Sequence, residues 1–177
     1  MGPYDQPLLE QIDAAALDLI GRTPRVLRAL LVGLPLELIE RPNDEGWSLK
    51  DIVAHLHDVE DVAFVERIQR MLTEDQPFIH SIDPPARLLA GGYASRETTE
   101  LLDVLEQQRS AHVPWLRQLT PRDLVRSGEH DEAGDIRVID VVHQWAAHDM
   151  AHLRQMALML QQHLAPLMGA TRGFYDV

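Results

Sequence analysis

Residues 136–164 limit the fold more than any other part of the chain. They form a long, strongly apolar stretch around Trp145 with helical rather than alternating spacing. Three more segments share that spacing. Residues 8–20 put Leu9, Ile12, Ala16 and Leu19 on one side. Thr23-Pro24 then reads as a helix cap with proline in the first turn, leading into residues 26–32, so the first helix should be kinked or split near Gly21. Ser48 is a good N-cap for a second helix over residues 49–73, with Ile52, Val53, Leu56, Val59 and Ala63 on its buried face. Ser95, followed by Glu97 and Thr98, opens a third that runs to about Leu119, with Pro114 inside it expected to kink it or end it early.

The connections carry breaker signals. Residues 75–93 contain three prolines and two glycines, and Asp83-Pro84 argues against regular structure there. This reads as a long crossover loop. Residues 120–135, with Gly128 and Gly134, read as a polar connection, and residues 165–177 show no pattern. Four main helices with one long crossover predict an all-α, four-helix bundle, in which metal sites form from side chains on facing helices. At 177 residues the chain has the length of a single domain, taken as 1–177, and no repeat divides it.

Composition removes several function classes. With no cysteine there can be no disulfide, no thiol nucleophile and no thiolate zinc site. Metal chemistry here must use nitrogen and oxygen ligands, and any reacting thiol must arrive from outside. The net charge of −12, from 28 acidic and 16 basic residues, repels phosphate backbones, so nucleic acid is not an expected partner. No apolar run reaches the roughly 18 residues of a membrane span. The mostly polar start of the chain does not resemble a secretory signal, so a cytoplasmic location is expected.

The histidines carry the chemistry. His148 and His152 stand four apart on the strongest helix, a spacing that stacks two imidazoles on one face about 6 Å apart at Cβ. Trp145 and Val141 share that side, which makes the pair inward-facing. Nine histidines in a chain of this length would produce about half of one such pair by chance, so the pair alone is weak evidence. His55 adds to it, lying between Ile52 and Val59 on the apolar side of the second helix. A buried histidine needs partners for both ring nitrogens. A carboxylate, Asp58 or Glu60, is one solution; a cation shared by three imidazoles on neighbouring helices is the other. Three nitrogen ligands with an open fourth position describe a catalytic site rather than a closed structural one.

The remaining histidines lack ligand spacing. His57 points about 200° away from His55. His143 falls off the face of His148, and His80, His112, His130 and His163 have no partner, although His112 and His130 are the candidates for another role. His148-Asp149-Met150-Ala151-His152 also looks like the H-E-x-x-H of zincin proteases. Aspartate shortens the reach of the general base, however, and no metzincin-type third histidine follows.

Two segments together resemble the DinB-like superfamily, the DinB/YfiT-like metalloenzymes. The first is Gly46-Trp47-Ser48 leading into His55-Leu56-His57-Asp58-Val59-Glu60, similar to that family's tryptophan, helix cap and H-L-x-D-x-E run. The second is the turn beginning at Gly134, then His148-Asp149-Met150-Ala151-His152-Leu153-Arg154-Gln155, similar to its H-D-x-x-H-x-x-Q helix. The resemblance implies up-down-down-up connectivity, a homodimer, and a zinc, nickel or iron ion on His55, His148 and His152. Two positions depart from the family. Arg137 stands where a Thr or Ser often caps the last helix, leaving Asp135 to cap, and His57 replaces a small residue and could add a polar group at the site rim.

Relatives of this kind include metal-dependent thiol S-transferases, which implies a small-molecule substrate and a low-molecular-weight thiol. A metal-dependent hydrolase and a non-catalytic metal or small-ligand binding protein are the alternatives. Hydrolysis would want a general base, for which Asp149 and Glu60 are the nearest residues. Arg109 could pair with Glu60 across the bundle or stand as a solvated helix arginine.

Overall fold

Helix α1 (Ala14–Leu31) begins at Asp13, whose carboxylate accepts the Ala15 and Ala16 N–H groups that an uncapped helix would leave free. The computed structural model describes residues 11–175, so the expected contributions of Leu8 and Leu9 lie outside the described residues. Thr23-Pro24 does not start a second helix. α1 runs through it, with the Thr23 hydroxyl donating to the Leu19 carbonyl. Pro24 has no N–H, so the carbonyl of Ile20 loses its helical partner.

A short α2 (Leu36–Ile39) leads to a turn around Asn43 and then to α3 (Leu49–Val59). Ser48 caps α3 as expected, in a closed box with Asp51: each side chain accepts the other's backbone N–H. The second helix does continue to Thr73, but not evenly. A π-helical segment, Glu60–Val65, separates α3 from α4 (Glu66–Thr73), and the Glu66 N–H reaches back five residues to the Asp61 carbonyl. Such bulges insert one residue and re-aim the side chains around them.

The crossover has more structure than its prolines predict. Asp83 caps α5 (Pro84–Gly91) by accepting the Ala86 N–H, and Pro84 and Pro85 occupy the first turn, where a missing N–H costs nothing. A 3₁₀ turn (Tyr93–Ser95) follows, so Ser95 is not the cap of α6 (Thr98–Leu116); Glu97 takes that position without a side-chain bond. Pro114 is accommodated in the last turn of α6.

After α7 (Pro121–Leu124), the expected polar connection holds two strands. β1 (Phe78–Ile79) pairs in parallel with β2 (Ser127–His130), which pairs antiparallel with β3 (Gly134–Arg137). Strands of two and four residues are too short for alternation to show in sequence. Gly128 is required here: a Cβ on it would stand 2.7 Å from the Pro77 carbonyl oxygen. α8 (Val138–Leu164) opens with Asp140 closing a box on Arg137, so Asp135 does not cap it. The chain then ends in 3₁₀ turns over Ala165–Leu167 and Gly169–Phe174.

Cross-helix contacts give the helix directions. Arg28 meets Asp103 and Arg117 meets Asp18, so α1 and α6 are antiparallel. Asp13 meets His143 near the starts of α1 and α8, which run parallel. His57 meets Gln108 and Glu60 meets His112, placing α3 parallel to α6. His55 meets His148 while Phe64 meets Trp145, so α3 and its extension oppose α8. The result is the up-down-down-up four-helix bundle, in which the crossover carries the chain back between the two parallel middle helices.

The core is divided in two. One cluster gathers around Trp145, Phe64, Ile68, Met71 and Leu116, the other around Leu27, Leu49, Ile52, Leu105 and Met156. Between them on each main helix lies a buried polar residue: Thr23, Glu60, Arg109 and Asp149, with His55 beside them. The candidate site sits at this polar layer.

Candidate metal centre

Ser48 sets where α3 begins, and the register that follows turns His55 inward, with only 5% of its surface exposed. α8 brings His148 and His152 to the same place, one turn apart. The Nε2 atom of His148 lies 3.1 Å from Nε2 of His55 and 3.2 Å from Nε2 of His152. A ligand nitrogen from each of the three lies within 4.8 Å of the others, and among the described residues this is the one such convergence of metal-capable side chains. Tetrahedral coordination with metal–nitrogen bonds of about 2.0–2.1 Å places ligand atoms about 3.3 Å apart. The two short separations match that edge.

The hydrogen bonding around the rings points the same way. Nδ1 of His152 donates to Oε1 of Gln155 at 2.9 Å, which leaves its Nε2 a bare lone pair facing the centre. Nδ1 of His148 is buried without a hydrogen-bond partner, so that ring is engaged only through its Nε2. The carboxylates that might have satisfied His55 are used elsewhere: Asp58 by Arg87 and Tyr93, Glu60 by Arg109 and His112. One N–H cannot satisfy three nitrogens turned toward one another, whereas a cation can.

All three imidazoles are held neutral. Burial, then the proximity of His152, lowers His55 to about 4. Burial, then His152, His55 and Arg109, lowers His148 to about 3. Burial also lowers His152, against the opposing pull of Gln155 and Asp149. Neutral imidazole is the form that ligates a metal, so these rings need not lose protons at neutral pH before binding.

Aromatic rings wall the centre. Trp47 meets His55 edge-on at 5.2 Å between ring centroids and lies over His152 at 6.4 Å. Its backbone is fixed by Asn43, whose side-chain oxygen accepts the Trp47 main-chain N–H at 2.9 Å. Phe64, on the π-helical segment, packs edge-on against His148 and stacks on Trp145. Trp47 also lines an open cleft of ≈ 340 Å³ with Pro85, Leu88, Leu89 and Tyr93 from the crossover.

Below the histidines Arg109 is buried, its guanidinium carbon 4.8 Å from the Trp145 ring centroid. It forms an ion pair with Glu60 at 2.7 Å and a two-pronged one with Asp149 at 2.7 and 3.0 Å. Burial opposes its charge, but Asp149 and Glu60 outweigh that and hold its pKa above the ordinary value. Burial pushes Asp149 above the usual carboxylate range, and Arg109 opposes the shift. Glu60 and Asp149, considered above as general bases, are therefore bound to Arg109 and fully shielded from solvent. This also removes the zincin reading, which needs a free carboxylate at Asp149.

The other histidines stay apart from the centre. His57 turns to Gln108 and meets Tyr93 edge-on, and His112 bonds Glu60. His143 accepts the Asp13 N–H, His130 accepts the Glu132 and Ala133 N–H groups, and His80 lies 3.9 Å from Asp131. His163 borders a separate surface cleft with Met159. Sequence reasoning missed the roles of Gln155, Phe64 and Asp149. Asp149 and Gln155 carry a local signal, since both stand in the H-D-x-x-H-x-x-Q run and Gln155, three after His152, lies on its helix face; Phe64 carries none.

The family model of the DinB superfamily matches residues 19–156. The chain belongs to the DinB superfamily. It is similar to a protein of Oceanobacillus iheyensis provisionally named a metal-dependent hydrolase, with 25% identity over 150 residues covering 78% of this chain and 80% of that protein. Its fold is that of YfiT from Bacillus subtilis, described as a probable metal-dependent hydrolase with an unusual four-helix bundle topology. The TM-score is 0.80 and the identity 20%, over 92% of this chain and 93% of the other. Among the described residues no helix is long and apolar enough to cross a membrane.

Proposed function

We propose that His55, His148 and His152 hold one divalent metal ion, zinc, nickel or iron, and that the protein is a metal-dependent enzyme acting on a small molecule with the help of a low-molecular-weight thiol. The observation that carries the reading is the convergence of three neutral imidazole nitrogens on one point, with Trp47, packed on two of those rings, also lining an open cleft. A bound ion at such a site supplies Lewis acidity, lowering the pKa of a coordinated thiol or water.

The surrounding carboxylates favour the thiol. Glu60, Asp149 and Asp58 are all committed to arginines, so none is free beside the histidines to take a proton from an incoming nucleophile. A thiol, with an ordinary pKa of about 8.5, needs far less help to ionise than water at about 15.7. A chain without cysteine must receive that sulfur from a cosubstrate. Trp47 and the leucines of the crossover offer an apolar wall for its partner. The names of the relatives favour a second reading, hydrolysis at the same ion. Both readings carry the expectation of a cytoplasmic homodimer.

The test is elemental analysis of protein purified without an affinity tag, followed by assay of a thiol panel against monochlorobimane. The expected result is one ion per chain, lost in His55→Ala and in His152→Ala, and a conjugation rate that disappears on metal removal. Metal content unchanged by both substitutions would overturn the site. Ester or amide hydrolysis without any thiol dependence would replace the transferase reading with the hydrolase one.

A further inference from the structure

We infer that Arg109 is the positioning residue of the metal centre, a single guanidinium that sets the spacing of the ligand-bearing helices by binding all three of the other main helices at once. The inference rests on the metal reading above and concerns how the site is built.

Arg109 projects from α6 and donates to Glu60 at the junction of α3 with its π-helical extension, five residues beyond His55. It donates twice to Asp149 on α8, adjacent to His148 and three residues before His152. Its Nη1 also donates to the Ile20 carbonyl of α1 at 3.3 Å. That last acceptor exists because of Pro24. In an unbroken helix the N–H four residues on would occupy the Ile20 carbonyl, and proline has none to give. The internal proline of α1 thus opens a backbone acceptor directly at the arginine.

Two features make this a geometric device rather than general stabilisation. First, the guanidinium is a rigid fork, so its bonds to Asp149 fix the rotation of α8 about its axis as well as its distance. Asp149 and His148 are neighbours on one helix, and a rotation of α8 that breaks the fork also moves His148 off His55. Second, α3 and α8 meet at the site through imidazoles that cannot bond one another strongly. The link from Glu60 through Arg109 to Asp149 is a charged, solvent-free connection between those same helices, one layer away. Without it, each ligand pair could drift by a fraction of an ångström, and metal ligands tolerate about 0.2 Å.

The test compares zinc affinity, by competition with a fluorescent chelator, in wild type, Arg109→Met, Arg109→Lys and Glu60→Gln. The absorption bands of the cobalt-loaded proteins report coordination geometry. Measurements are made where far-ultraviolet circular dichroism shows each apo-protein folded. Arg28→Met is the control, since it breaks the Arg28–Asp103 pair between α1 and α6 and leaves the link from α3 to α8 alone. Arg109→Met is expected to lose tenfold or more in zinc affinity, in the roughly 10–100-fold range of changes to groups that orient metal ligands. Its cobalt bands should shift, and Arg109→Lys should recover part of the loss. Arg28→Met should retain affinity and spectrum. If Arg109→Met does not fold, Glu60→Gln takes its place under the same criterion. Affinity within tenfold of wild type, with an unchanged cobalt spectrum, would overturn the inference. Absence of zinc binding by wild type itself would instead overturn the metal reading on which it rests.

Discussion

Nε2 of His148 lies 3.1 Å from Nε2 of His55, although 93 residues separate them along the chain. Neither ring has a carboxylate partner, and the Nδ1 of His148 has no partner at all. Bringing two such groups together in a buried layer costs free energy unless something is shared between them, because a buried polar atom without a partner forfeits roughly 1–3 kcal/mol. The fold maintains this arrangement with a capped helix on one side, a long amphipathic helix on the other, and an arginine between them.

The first prediction concerns pH. In the unfolded chain a histidine takes up its proton near pH 6.5, whereas folded His55 does so only near 4 and His148 near 3. Below pH 6.5 the unfolded state therefore binds more protons than the folded one. The metal-free protein should be most stable above that pH and lose stability as pH falls from 6.5 toward 4. Urea midpoints measured across this range should decline in wild type and decline less steeply in His55→Asn. Equal slopes would show that these rings do not govern the acid limb.

Gln155 provides the second. Its side-chain oxygen accepts the His152 Nδ1–H at 2.9 Å and thereby presents Nε2 to the centre. Gln155→Ala should leave the fold intact and weaken zinc binding by about tenfold or more, as expected when a ligand's orienting partner is removed. Titration calorimetry of the metal-free protein measures this directly, and unaltered affinity would show that His152 is oriented by packing alone.

A third prediction separates the sheet from the site. At Gly128 an added methyl would press on the Pro77 carbonyl 2.7 Å away, across the pairing of β1 with β2. Gly128→Ala should cost about 1–3 kcal/mol of stability, the usual range for forcing a group into filled space. Its zinc affinity should match wild type, because none of the three ligand histidines lies in or beside the strands in sequence. Chemical denaturation and chelator competition on the same sample check both halves.

Much of this was legible in the chain. The cap at Ser48, the run from His55 to Glu60 and the His148/His152 pair are local features, and local spacing places them on one face of a helix whatever the rest of the protein does. The misjudged elements were those whose local signal is ambiguous. Thr23-Pro24 has the form of a helix start, yet α1 passes through it, since Arg109 and helix packing outweigh one lost hydrogen bond. Asp83-Pro84 has the form of a breaker, yet in the fold it is a cap and first turn, the same residues serving either purpose. The strand β1 leaves no mark in the sequence because its pairing joins residues 78–79 to 129–130, about fifty positions away, while the β2–β3 hairpin is local but its four-residue strands are too short to show alternation.

The sequence by itself determined the helical class, the absence of any protein thiol, and the three histidines with the faces they occupy, because helical periodicity and composition are properties of neighbouring residues. Only the tertiary structure decided that those histidines meet within bonding range of a single ion and that Glu60 and Asp149 are held by Arg109 rather than free. It also decided that Pro24 leaves a carbonyl for that arginine. Each depends on the distance and rotation between helices far apart in the chain, which packing fixes and sequence spacing does not.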